Sequence, residues 1–221
     1  MISEVAIVMA AYNEERFVER ALRSCLTQSV PRSLYQVIFV DDGSTDATLK
    51  IARQFEPDVT ILVNERNRGL PASINRAIRS AKARFVVRVD ADDYVHIDFL
   101  RILYLFLDLN TYMEAVACDY YLVDEHETKI QRVNCLEHAI GCGVMFRKER
   151  LIDIGLYDES FLMAEDLDLR LRFAKRWPIH RVELPLYRYR MHDANMTNAH
   201  REYQAFIARA LQKNSDPEAA S

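Results

Sequence analysis

Phe85-Val86-Val87-Arg88-Val89-Asp90-Ala91-Asp92-Asp93 decides how this chain reads. An apolar run ends in three carboxylates within four positions. Val86, Val87 and Val89 have the chemistry of a buried strand. Side chains of an extended segment alternate faces, so Asp90 and Asp92 can point the same way. Two like charges held together at a strand end need a cation or hydrogen-bond donors to offset them. A hard divalent ion, Mg²⁺ or Mn²⁺, is the natural partner for oxygen ligands. A solvated acidic turn is the competing interpretation of this stretch alone. Arg88, two residues before Asp90, is expected to neutralise the carboxylates or to reach a ligand.

Upstream, the same strand-then-polar-loop pattern occurs three more times. Val5–Met9 is a continuous apolar run that leads into Ala10-Ala11-Tyr12-Asn13-Glu14-Glu15. Phe17, Val18, Ala21, Leu22 and Cys25 then recur at helical spacing, to about Gln28. Tyr35–Val40 ends in Asp41-Asp42-Gly43-Ser44-Thr45-Asp46, and a helix to about Phe55 should follow, capped by Ser44 or Thr45. Val59–Val63 is a third strand, Asn64–Gly69 a polar loop and Leu70–Ser80 a helix. Strand and helix in alternation predict an α/β fold: a Rossmann-like, mostly parallel sheet with helices on both faces. Ligands of such sheets bind beyond the carboxyl ends of the strands, where all four polar stretches should converge.

Beyond residue 98 the pattern is less regular. Phe99–Leu109 reads as a core helix, with a membrane-resting face as the lesser alternative. Ala115–Cys118, Tyr120–Val123 and Val144–Phe146 are strand material. Glu149–Ile154 is a short helix ended by Gly155, and a longer one opens at Glu165-Asp166. Val182–Arg190 reads as mixed strand and loop, and Arg201–Leu211 as a final helix. The expectation is one domain over 1–212, with residues 1–98 binding the ligand and 99–212 completing the site. Lys213–Ser221 is expected to be a disordered tail.

Composition narrows the function classes. Half of the 221 residues are apolar, and the formal net charge is −4 with scattered basic residues. That gives no electrostatic case for a nucleic-acid partner. Cys25, Cys118, Cys135 and Cys142 form no CxxC pair, which suits buried thiols in a reducing cytoplasm. Glu4 and the short run after it do not make a leader peptide, and no segment has the ~18 apolar residues of a membrane span. A cytoplasmic protein is expected, with the inner membrane face as a possible station.

Ala11-Tyr12-Asn13-Glu14, Asp41-Asp42-Gly43-Ser44-Thr45-Asp46, Asn67-Arg68-Gly69 and Asp90-Ala91-Asp92-Asp93 together resemble a family 2 glycosyltransferase. Gly155-Leu156-Tyr157-Asp158, Ala164-Glu165-Asp166-Leu167-Asp168 and Tyr189-Arg190-Met191-His192 continue the resemblance in the same order, over roughly residues 5–198. It implies the GT-A fold, a nucleotide-sugar donor, a divalent metal and inversion at the anomeric carbon. It implies that Ala11 and Tyr12 flank the nucleoside, and a tyrosine face can stack on a pyrimidine. Asp41, with Asp42 as second choice, is placed on the uracil or ribose. Glu14 is an acceptor to the ribose or a local cap. Arg68 is a phosphate or base contact, or a solvated loop charge, and Gly69 serves a tight backbone. Asp90 and Ala91 would meet the donor. The resemblance makes Asp92 the direct metal ligand, with Asp90 and His192 alongside, and sets Arg190 near the diphosphate. It makes Asp166 the catalytic base, supported by Glu165. Acids at a helix start also satisfy the helix dipole.

Arg176-Trp177 lacks the glutamine of a processive QxxRW motif, since Phe173 stands in its place, so transfer of a single sugar is expected. The partners are a nucleotide sugar, most readily a UDP-sugar, and a glycan, lipid-linked or other hydroxyl acceptor. Two alternatives are a sugar-nucleotide nucleotidyltransferase and a non-catalytic nucleotide-sugar module. The first wants a Gly-rich, basic loop where Ala11–Glu15 is acidic; the second predicts degraded acidic motifs.

Overall fold

A computed structural model describes residues 3–192 and 200–215. Its elements in chain order are β1 (Ser3–Ala11), α1 (Val18–Leu26), β2 (Tyr35–Asp41), α2 (Thr48–Ala52), β3 (Val59–Val63), α3 (Leu70–Ser80), β4 (Ala83–Arg88), β5 (Tyr94–Val95) and α4 (Phe99–Leu109). There follow β6 (Ala115–Val123), β7 (Lys129–Val133), β8 (Val144–Arg147), α5 (Lys148–Asp153), α6 (Glu165–Ala174), β9 (Ile179–Arg190) and α7 (His200–Ser215).

One sheet runs through the molecule in the order β3-β2-β1-β4-β8-β6-β9-β5, with β7 paired to β6. The first four of these strands are parallel; β8 joins β4 antiparallel, and β6 joins β8 antiparallel. β1 lies between β2 and β4, and Val5 to Met9 are fully buried, which is why it reads as an unbroken apolar run. Register sets Ala11 beside Asp41, Asp41 beside Val63, and Val8 beside Arg88. The loops after these strands therefore open at one edge of the sheet. Each fully buried core side chain such as Ile7, Phe39 or Phe85 contributes about 1.5–3 kcal/mol by leaving water.

The pairing of β4 with β8 carries the sheet from the first half of the chain into the second. β6 continues through Asp119 where the sequence suggests two pieces. Its register against β9 shifts there, opposite Pro185, which has no N–H for the ladder. The Asp119 carboxylate draws in Arg181 (Nε to Oδ1, 2.8 Å), Arg132 (Nη2 to Oδ2, 2.9 Å) and the Cys135 amide.

Two further expectations are corrected, and that of a core helix at α4 is met. Neither Ser44 nor Thr45 caps helix α2: its N-cap is Ala47, Asp46 Oδ1 accepts from the Thr48 amide at 2.9 Å, and Ser44 Oγ is taken by the Asn13 amide. Residues 213–215 belong to α7, because Lys213 pairs with Asp158 and Asp168; the rest of the expected tail lies outside the described residues. Helix α4 is a core helix through Phe99, Leu100, Leu103 and Leu107, while Leu105, Phe106 and Leu109 stay exposed. Among the described residues no helix is long and apolar enough to cross a membrane.

Candidate active site

The loops after β1, β2 and β3 are stitched to one another. Asn13, in a left-handed conformation, receives the Thr45 amide on Oδ1 at 2.8 Å and donates its own amide to Ser44 Oγ at 3.0 Å. The Glu14 amide donates to Thr48 Oγ1 at 2.7 Å. Asp42 accepts the amides of Arg68 (3.0 Å) and Gly69 (2.9 Å) and the side-chain amide of Asn64 (2.6 Å). A Cβ on Gly43, at φ +76°, would lie 2.6 Å from the Arg66 carbonyl carbon, so only glycine lets the second and third loops close.

These loops form one side of a cavity of about 580 Å³. Ala11, Tyr12, Glu14, Asp42 and Gly69 line it, and Tyr12 is 45% exposed with a free ring face. Asp41 sits behind this wall, 1% exposed: its Oδ2 accepts from the Ser44 amide, and its Oδ1 is buried with no partner among the described residues. Asp42 stitches the third loop and still lines the cavity, so its carboxylate faces both the loop and the ligand space. The Arg68 side chain is exposed and does not line the cavity, so the loop-charge interpretation describes it here.

At the next wall, Arg88 binds Asp90 in bidentate fashion (2.6 and 3.1 Å) and reaches Glu165 with Nη1 (2.8 Å). Arg88 neutralises these carboxylates and also lines the cavity. Its own burial and that of Glu165 make the pair mutually dependent. Asp90, Ala91 and Asp92 all line the cavity. Asp92 Oδ2 lies 3.0 Å from His192 Nε2, so residues 100 positions apart meet as the motifs suggested. That contact raises the His192 pKa. Glu14 is pushed up to about 7, first by burial and then by the charge of Asp92. Carboxylates therefore crowd one corner, and their hard oxygens with one imidazole suit Mg²⁺ or Mn²⁺.

Arg190 is placed differently from the expectation. It is 2% exposed, does not line the cavity, and donates from Nε to the Asp92 carbonyl at 2.8 Å. Its Nη1 reaches the Glu125 carbonyl at 3.1 Å, and its Nη2 lies 3.4 Å from Glu127. It braces the acidic loop from behind because the β6–β7 turn occupies its guanidinium.

Asp93 went unassigned in the sequence. It is buried, accepts from the Tyr187 hydroxyl (2.7 Å) and the Arg190 amide (2.7 Å), and burial holds its pKa well above the usual carboxylate range. Asp90, Asp93 and Cys142 bring possible ligand atoms within 4.8 Å of one another. Asp93 accepts from Tyr187 and Arg190 within this trio, and burial pushes the Cys142 thiol up.

The last wall carries Glu165 and Asp166 at the start of α6, preceded by Ala164 in a left-handed conformation, φ 55°. Both acids line the cavity. Burial raises the Asp166 pKa, opposed by Arg88 and by Arg170 one turn on. Gly141 fits against them because a Cβ would come within 2.9 Å of both Arg88 Nη1 and Asp166 Cβ. Asp168 is fully buried with Arg172 and Lys213 and has a structural role. Trp177 packs on Phe173. Tyr203 of α7 also lines the cavity; no motif marks it in the sequence.

Parallel strands feeding a nucleotide-sized crevice, with acids on the neighbouring wall, define a sugar-nucleotide type of fold, and comparison with known proteins gives the family. The description Glycosyl transferase family 2 matches residues 6–164, and the chain belongs to that family. The poly(ribitol-phosphate) beta-N-acetylglucosaminyltransferase TarS of Staphylococcus aureus is 33% identical over 106 residues, 47% of this chain but 18% of that protein. The chain thus spans under a fifth of that relative's length. The crystal structure of TarS residues 1–349 with UDP-GlcNAc superposes with a TM-score of 0.79 and 21% identity, covering 98% of this chain and 68% of the other. The mannosyltransferase PcManGT of Pyrobaculum calidifontis, in complex with GDP-Man and Mn²⁺, gives 0.71 and 21%, covering 96% and 65%. The fold is GT-A.

Proposed function

We propose that this chain moves one sugar from a nucleoside-diphosphate sugar, of the uridine series, to an acceptor hydroxyl, with inversion at the anomeric carbon. The observation that carries the reading is that Asp166 opens into the same cavity as Asp90, Asp92 and the stitched nucleotide-side loops. The donor base and ribose lie against Ala11 and Tyr12, with Asp42 on that wall and the buried Asp41 carboxylate behind it. The diphosphate lies toward Asp92. Asp166 takes the proton of the acceptor hydroxyl as its oxygen bonds to the anomeric carbon. The bond from that carbon to the phosphate oxygen breaks, and its electron pair leaves with the nucleoside diphosphate. Arg88 holds Asp90 and Glu165 in place throughout. Mg²⁺ or Mn²⁺ would be held by Asp92 with His192, beside Asp90 and Glu14, and would offset the charge of the departing diphosphate. TarS, named for poly(ribitol-phosphate) and seen with UDP-GlcNAc, supports a UDP-sugar and a cell-surface polymer; PcManGT with Mn²⁺ supports the metal.

Titration calorimetry with UDP, GDP, dTDP and CMP, each with and without Mn²⁺, tests this. Metal-dependent binding of UDP is expected, and a chain that binds none of them refutes the reading. Asp166→Asn should keep UDP binding and lose transfer.

A further inference from the structure

The nucleotide-side loops, the acidic corner and the Glu165-Asp166 helix start account for three walls of the cavity. Ile140, Met163 and Tyr203 also line it, and Leu162 does so beside Gly69. We infer that Tyr203 is the acceptor platform, its ring taking the apolar face of a pyranose whose hydroxyl is directed to Asp166, so that the acceptor is a neutral pyranosyl unit. The inference rests on the glycosyl-transfer reading above and adds the acceptor class to it.

Three features carry it. This lining is apolar and aromatic, and a tyrosine there offers a flat face and a polar tip to a sugar ring. Glu165 and Asp166 line the same cavity as Tyr203, so an anionic acceptor there meets like charge; burial first, and then these two carboxylates, raise the Tyr203 pKa. Finally, α7 is clamped to the segment that bears the base. Lys213 Nζ bridges Asp158 (2.9 Å) and Asp168 (2.8 Å), and Arg209 Nη2 donates to Ser160 Oγ (2.7 Å). Phe206 packs on Phe161 with ring centroids 6.2 Å apart, and Ala210 is fully buried. These contacts tie α7, which bears Tyr203, to the segment around the start of α6, which bears Asp166. Tyr203 lies outside the stretch that matches the family, so the shared motifs leave its role open.

The test offers UDP-sugar donors with methyl pyranosides of glucose, galactose and N-acetylglucosamine, and with ribitol 5-phosphate, to the wild-type chain and to Tyr203→Ala, Tyr203→Leu and Tyr203→Phe. Transfer to a pyranoside is expected. Its acceptor KM should rise about tenfold in Tyr203→Ala and Tyr203→Leu, and should change little in Tyr203→Phe. The UDP Kd and donor hydrolysis should be unchanged in all three. Tyr203→Leu keeps the bulk on α7, so it stands if the alanine variant fails to fold. An acceptor KM that does not move, or transfer to ribitol 5-phosphate only, overturns the inference. So does a wild-type chain that hydrolyses donor but takes no pyranoside. A wild-type chain that neither binds UDP nor hydrolyses any donor instead refutes glycosyl transfer itself.

Discussion

Arg190 Nε donates to the backbone carbonyl of Asp92 at 2.8 Å, and in the same residue the amide donates to Asp93 at 2.7 Å. The last strand thereby fixes the loop whose side chains form the acidic corner. Arg190→Leu should leave the fold intact and let Asp92 drift. Loss of a charged hydrogen bond costs about 1.5–3 kcal/mol, so the affinity for UDP with Mn²⁺ should fall about tenfold or more. Calorimetry with and without Mn²⁺ reads this; an unchanged Kd would show that the brace is dispensable.

Arg170 has a buried Nη1 with no hydrogen-bond partner among the described residues, and its charge lowers the pKa of Asp166. A base works only when deprotonated. In Arg170→Leu the Asp166 pKa rises, and the acid limb of kcat/KM for transfer should move to higher pH by about half a unit. Movement to lower pH would exclude Asp166 as the group that titrates.

Asp119 is 1% exposed and bound by Arg181 and Arg132. Burial alone would raise its pKa, but the hydrogen bonds from Arg181, Arg132 and the Cys135 amide outweigh it, and the pKa is lowered. A depressed folded-state pKa means stability that is present above the unfolded value of about 3.9 and lost as pH falls below it. Asp119→Asn should cost about 2 kcal/mol in urea melts at neutral pH, less than a fully buried pair because Arg132 reaches solvent. The variant should also flatten the acid side of the stability profile.

Gly43→Ala places a Cβ against the Arg66 backbone at a positive φ. The expected cost is about 1–3 kcal/mol, together with weaker UDP binding, because the second and third loops separate. Unchanged melting and binding would mean that the two loops are not interlocked.

The central strand β1 was legible because burial on both faces leaves its mark in composition. β3, α3 and, in the second half, α4 also fall where the sequence placed them. Strand β7 was not, since four of its five residues are exposed and Lys129-Ile130-Gln131-Arg132 carries no apolar alternation. Its place comes from Arg132 reaching Asp119 across the sheet, a long-range ion pair that no local pattern records. At the site, the meeting of Asp92 and His192 was readable from ordered motifs. The reversal of Arg190 was not, because it depends on a turn, Asp124–Thr128, folding over it. The stitching role of Asp42 was hidden for a similar reason: its backbone partners, Arg68 and Gly69, lie in a distant loop.

Arg88 is in the first half of the chain, and its guanidinium is shared between Asp90 nearby and Glu165 far along the second. The halves are therefore not interchangeable parts. A chimaera that joins residues 1–98 to the second half of another protein inherits a buried cation, and the incoming half must bring a carboxylate to meet it. Recombination at this boundary would succeed only between chains that agree on that one charge.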